Sequence, residues 1–262
     1  MSRAQIERRA QLQNAKRKKR SPETTPGKEY VTRYATAVAH AYIVALATED
    51  FESLANLRTD DRRTPQMAAL AGRIQAKFAE AMTASGVDKL ARGVANRIEA
   101  VNAEDLSRML AIAPSQLPPI EVAARWQREQ RAFVKDLGQD AADRVTSILQ
   151  AAPRGLRVQD LAARIARDGE ILKSRATLIA RDQTLKLYAD IDRARQQRLG
   201  IAKYIWRSSG DGATRSHHTD LDGLVFSWGE PPEGGGSRAE DSGHPGEGVQ
   251  CRCTAEPVLD DG

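Results

Sequence analysis

Apolar side chains recur at every third or fourth position along most of this chain, and such stripes predict helices. Tyr34, Val38, Tyr42 and Leu46 form the first stripe, with Val44 nearby, and "TEDFESLANLR" extends it to Leu54 and Leu57. Residues 59–65, "TDDRRTP", read as a break. A second helix is predicted from Gln66 through Met82, with Leu70, Ile74 and Phe78 in line. Ser85-Gly86 interrupts it, and a third helix from Asp88 presents Leu90, Val94 and Ile98. Three prolines within residues 111–120, "AIAPSQLPPI", mark an interior linker.

Two more helices are predicted at Val122–Leu137 and Ala141–Ala152, separated by Gly138, with Pro153-Arg154-Gly155 as the stop. Val158, Leu161 and Ile165 share the next face, and Gly169 reads as its C-cap. The last helix, about Ile171–Leu199, carries Leu178, Leu185, Ile191 and Leu199 and ends at Gly200. Beyond Gly200 the helical period stops. "KYIWRSS" and "LVFSW" are rich in aromatic and β-branched residues and predict short strands, and residues 229–243 form a long polar loop.

Composition agrees with a helical body: aromatic residues make up 5% of the chain, too few for a β-sandwich. No apolar run approaches the ~18–20 residues of a membrane span, and no apolar segment follows the first charges. A soluble intracellular chain is expected. The net charge of +5 is unevenly spread. Residues 1–28 hold nine Lys/Arg against Glu7 and Glu23, a net of +7, so the remainder is slightly acidic. Arg8, Arg9, Lys16, Arg17, Lys18, Lys19 and Arg20 therefore read as a disordered basic arm, either merely solvated or attracted to phosphate without base preference.

Chemistry gathers near the C-terminus. His217, His218, His244, Cys251 and Cys253 lie within 37 residues, whereas His40 is the only histidine before them. His218, His244, Cys251 and Cys253 make a candidate tetrahedral zinc set, because thiolate and imidazole suit that ion. Cys-x-Cys is tighter than the usual spacing in such sites. A metal-free fold, in which the cysteines flank a strand and the histidines bond locally, stands beside it. A Cys251–Cys253 disulfide fits poorly, since residues two apart rarely meet its geometry.

The order of these pieces resembles the phage Mu F-like family of minor head (head morphogenesis) proteins. "IARDQT" on a helix, "YIWRSSGDGATRSHHTDLDGLVF" and "HPGEGVQCRC" carry the resemblance, over about Ile179–Leu259. Arg181 matches the helix arginine, Trp206 the tryptophan, and Asp211 with Arg215 a polar turn. His218, Leu221, Asp222 and Gly223 match His-x-x-Leu-Asp-Gly, and His244, Pro245, Gly246, Cys251, Arg252 and Cys253 match the closing pattern. His217 lies outside the motif, and Gly234–Gly236 reads as an insertion where loop length is free.

The resemblance implies a virion component of low copy number in the head interior or at the portal vertex, made in the host bacterial cytoplasm. Its implied partners are the portal protein, the major capsid protein and packaged DNA, with no membrane. The motif residues are implied to be structural and the chain not an enzyme. Asp222-Gly223 would make a turn that His218 and Arg215 tie to the helix of Arg181.

The fold class expected is mainly α: a helical body, a small C-terminal α+β module and the basic arm. The segments are 1–28, 29–112, 113–200 and 201–262, the last packing on helix 171–199. Two other functions compete. Residues 156–185 have the look of a helix-turn-helix regulator, with Leu161 and Ile165 facing a second helix. His217, His218, Asp220, Asp222 and His244 loosely resemble the centre of a metal-dependent nuclease.

Overall fold

The computed structural model describes residues 22–47, 49, 65–118, 120–121, 123–152 and 157–259. The basic residues Arg8 to Arg20, the Leu54–Leu57 stripe and the Pro153–Gly155 stop lie outside these. Among the described residues the order is α1 (Thr25–Ala47), α2 (Pro65–Ala84), α3 (Val87–Leu110), a 3-10 turn (Pro114–Gln116), α4 (Ala123–Ala151) and α5 (Val158–Arg198). Then come β1 (Lys203–Arg207), the short α6 (Ser216–Asp220), β2 (Val225–Ser227) and β3 (Thr254–Val258). The fold is mainly α with one small antiparallel sheet, as the hydrophobic periods predict.

The chain separates into two compact units, and both are discontinuous in sequence. One comprises Tyr30–Arg92 and Arg125–Ala180; the other comprises Met1–Glu29, Gly93–Ala124 and Arg181–Gly262. The boundaries fall within helices, so α3 and α5 each contribute to both units.

In the first unit the predicted stripes are buried: Tyr34, Val38, Tyr42 and Leu46 on α1, and Leu70, Ile74 and Phe78 on α2. Two glycines read as helix ends are instead interior. Gly138 sits within α4 and Gly169 within α5. A side chain at Gly138 would press on the Phe78 ring at 3.3 Å, and one at Gly169 on the Tyr42 ring at 3.0 Å. Each glycine lets an aromatic ring of a neighbouring helix lie against backbone, which outweighs its poor helix propensity. Continuity of α5 also removes the turn that a helix-turn-helix needs, so that reading fails. Leu178, on the predicted apolar stripe, is exposed on this helix.

The second unit carries the sheet, in the order β2-β1-β3. Tyr204 pairs with Phe226 on one side and Pro257 on the other, and Trp206 pairs with Ala255. Tyr204 and Trp206, two apart on β1, bury the same face together with Trp228, Cys251, Cys253 and Ala255. β1 and β2 fall in the two stretches rich in aromatic and β-branched residues. β3 does not announce itself, because "TAEPV" contains proline; as an edge strand it tolerates one.

A buried polar chain runs through the same unit. Arg195, 2% exposed, donates to the Glu99 carbonyl at 2.9 Å and to Asn102 Oδ1 at 2.7 Å, and pairs with the Glu99 carboxylate. Asn102 Nδ2 donates to Asp192 Oδ1 at 3.1 Å, and Gln196 Nε2 to Asp192 Oδ2 and the Ala255 carbonyl, both at 3.1 Å. Trp228 Nε1 closes the chain on Gln196 Oε1 at 3.3 Å. Burial pulls Arg195 down to about 10, which leaves it charged at neutral pH.

Candidate functional site

β1 sets the site by aiming Tyr204 and Trp206 at one face, with a different histidine against each. His218, on α6, meets the Trp206 ring edge-on at 5.3 Å between centroids. His244 meets Tyr204 at 5.7 Å and Trp228 at 5.1 Å. Both imidazoles are buried, as are both cysteines, which are unpaired thiols.

His218, Cys251 and Cys253 converge, with their ligand atoms within 4.8 Å of one another. His218 Nδ1 lies 3.6 Å from Cys251 Sγ and 3.5 Å from Cys253 Sγ. Its Nε2 donates to the Gly236 carbonyl at 2.9 Å. That bond places the ring proton on Nε2 in the neutral form and turns the Nδ1 lone pair toward the sulfurs.

The predicted fourth ligand does not join them. His244 Nδ1 shares a hydrogen bond with the Tyr204 hydroxyl at 2.8 Å, and the residue stays outside the cluster. Burial holds His244 below its ordinary value, so it stays neutral. Its backbone N–H donates to Glu247 Oε2 at 2.8 Å, fixing the turn that leads to Cys251.

The thiols titrate as a pair. The Cys253 hydrogen bond, with help from His218 and the backbone N–H groups of Cys253 and Gly246, holds Cys251 well below the ordinary thiol range. Cys253 is pushed up by its bond to Cys251 and by burial. The Trp206 indole N–H is buried without a full hydrogen-bond partner. It nevertheless faces the Cys253 sulfur and favours the thiolate there, as does the Ser209 N–H. Burial opposes a charge on His218, but the Cys251 sulfur and the Gly236 carbonyl raise it above its usual value.

The other motif residues bind the ends of this clasp together. Arg252 pairs with Asp211 through both terminal guanidinium nitrogens, Nη2 at 2.6 Å. Arg215 donates to the Val249 carbonyl at 2.6 Å. Asp222 accepts from the Ser208 N–H at 2.7 Å, and Gly223, at φ +84°, completes the turn by donating to the Trp206 carbonyl. Leu221 packs on the aromatic core, and Pro245 and Gly246 are buried. Arg181 does not meet the clasp; it pairs with Glu23.

Of the α5 residues that do meet it, Asp182 lies in the "IARDQT" stretch and the others went unread in the sequence. Asp182 Oδ1 accepts from the Gln250 N–H at 2.6 Å, and Arg193 pairs with Glu247 at 2.8 Å. Gly246 comes so close to Ala189 that no Cβ would fit. Asp182, Ala189, Arg193 and Gln196 lie seven, four and three residues apart, which is one helical stripe. That spacing was the available signal.

The glycine loop is also corrected. Gly234, Gly235 and Gly236 are buried, and a Cβ at Gly235 would collide with the Gly243 carbonyl. The loop length is fixed, because Gly236 supplies the carbonyl that orients His218. His217 stands edge-on to His218 at 4.7 Å and is absent from the three-residue cluster.

Residues 144–256 match the Phage Mu protein F like protein family. The Mu F-like region thus holds the whole clasp together with the α5 stripe that receives it. A Haemophilus influenzae protein described as uncharacterized is 32% identical over 197 residues, covering 70% of this chain. The match spans 42% of that protein's length. No solved structure matches. No helix among the described residues is long and apolar enough to cross a membrane.

Proposed function

We propose that this chain is a minor head protein of a tailed bacteriophage, acting in head assembly near the portal and carrying no catalytic activity. The observation that carries this reading is the Mu F-like match over the residues that close the clasp. The buried state of His218, Cys251 and Cys253 supports a structural use of them, since a substrate has no direct access to side chains 1–3% exposed. Portal and major capsid proteins are the partners of this reading, with the head interior or portal vertex as its place. The arm of Arg8, Arg9 and Lys16 to Arg20 contacts packaged DNA without sequence preference, during packaging or delivery.

Co-expression with portal and capsid proteins tests the assignment, with the chain located in assembled heads by cryo-EM. Density at the portal vertex or inside the shell is expected, and heads that assemble normally and exclude the chain would refute it. The arm is tested by mobility shift. Salt-sensitive, sequence-independent binding that vanishes on deleting residues 1–28 is expected. Metal-dependent plasmid nicking that is lost in His218→Ala would favour a nuclease instead.

A further inference from the structure

Three soft donors from two distant stretches of chain meet at one point inside the C-terminal module, and we propose that His218, Cys251 and Cys253 together hold one Zn²⁺ ion. The proposal rests on the cluster's own geometry and stands apart from the head-protein reading.

The distances come first. A tetrahedral zinc with Zn–S of ~2.3 Å and Zn–N of ~2.0–2.1 Å sets each S···N separation at about 3.6 Å. Here Nδ1 lies 3.6 Å from one sulfur and 3.5 Å from the other. A hydrogen bond explains one of these distances but not both. The single Nδ1 lone pair accepts one S–H proton, whereas a cation between the three atoms satisfies them all at once.

The surroundings of the ligands point the same way. His218 gives its other ring N–H to the Gly236 carbonyl, which is how a metal-bound histidine is normally oriented. On binding, the two thiol protons leave to solvent and the sulfurs become anionic ligands. No other described His, Cys, Asp or Glu side chain joins the cluster. The ion's role is to fasten α6, the glycine loop and the approach to β3, in a module whose sheet has only three short strands.

The full-length chain, purified under reducing conditions, is tested by elemental analysis and by cobalt substitution after chelator stripping. One zinc per chain is expected. Co²⁺ should then give a thiolate-to-cobalt charge-transfer band with intense tetrahedral d–d bands, bleached by one equivalent of Zn²⁺. His218→Gln, Cys251→Ser and Cys253→Ser each abolish the band, while His244→Gln retains it, which separates this site from a four-residue set that includes His244. The wild-type spectrum is decisive because it needs no variant to fold. Absence of the charge-transfer band there overturns the proposal, and so does a band lost in His244→Gln but kept in His218→Gln.

Discussion

His218 Nε2 donates to the Gly236 carbonyl at 2.9 Å, so a backbone atom of the glycine loop decides which ring nitrogen faces the cysteines. The loop holds that carbonyl in place by packing backbone on backbone, with Gly235 against Gly243 and Gly236 against Gly248. Gly235→Ala should therefore unfold the clasp, because its Cβ meets a main-chain carbonyl that cannot rotate away. A loss of about 3 kcal/mol in urea unfolding is expected, in the range of severe single-site effects. Gly212→Ala is the control: nothing lies near its Cβ, and the change should stay within about 0.5 kcal/mol.

The buried chain around Arg195 makes a second prediction. Arg195→Met keeps the stem but strips hydrogen bonds from Asn102, the Glu99 carbonyl and the Glu99 carboxylate. Removing one partner of a buried pair costs about 3–5 kcal/mol, and equilibrium unfolding should return a value near the lower end because Glu99 is partly solvated. Asn102→Ala acts on the same chain, so the double variant should fall short of additivity by about 1 kcal/mol or more. Strict additivity would show that the chain does not act as a unit.

These two sites also show where sequence was informative and where it was silent. Hydrophobic period alone located α1 to α3, since Tyr34, Val38, Leu70, Ile74, Phe78, Val94 and Ile98 face inward as their spacing requires. The motif residues from Trp206 to Cys253 were readable as a group, because each is a residue type with a specific geometric use. Asn102, Asp192 and Gln196 were not readable. A polar residue in a helix is normally solvent-facing, and only tertiary packing turns these inward. Gly138 and Gly169 misled for a related reason: a helix-interior glycine and a C-cap glycine look alike until the partner ring is known. His244 was assigned to metal by type, and the Tyr204 hydroxyl claims it instead.

Glycines within helices divide cleanly into two kinds. Gly72 on α2 and Gly93 on α3 have nothing near a prospective Cβ, and neither has positive φ. Gly72→Ala and Gly93→Ala should each raise stability by up to about 1 kcal/mol through helix propensity. Gly138→Ala and Gly169→Ala gain the same propensity but press on Phe78 and Tyr42, so no net gain is expected. Thermal unfolding of the four variants checks the contrast, and a stabilised Gly169→Ala would show that the Tyr42 ring yields freely.

The last prediction concerns acid. Glu49, just beyond α1, accepts from Arg73 Nη2 at 2.9 Å and from Lys77 Nζ at 3.0 Å. The Arg73 hydrogen bond, opposed by burial and supported by Lys77, holds its carboxyl below the ordinary glutamate value. A carboxyl whose folded pKa is depressed binds fewer protons than in the unfolded chain between the two values. Its stabilisation is then complete above the unfolded value of ~4.3 and fades as pH falls through the depressed one. Urea unfolding of the wild type from about pH 7 down to about pH 2 should show stability dropping on this acid limb. Glu49→Gln removes the titrating group, so its stability should change less steeply with pH below about 4, while being lower than the wild type at neutral pH. Parallel acid limbs for the two chains would mean that the ion pairs seen at Glu49 do not contribute to folding.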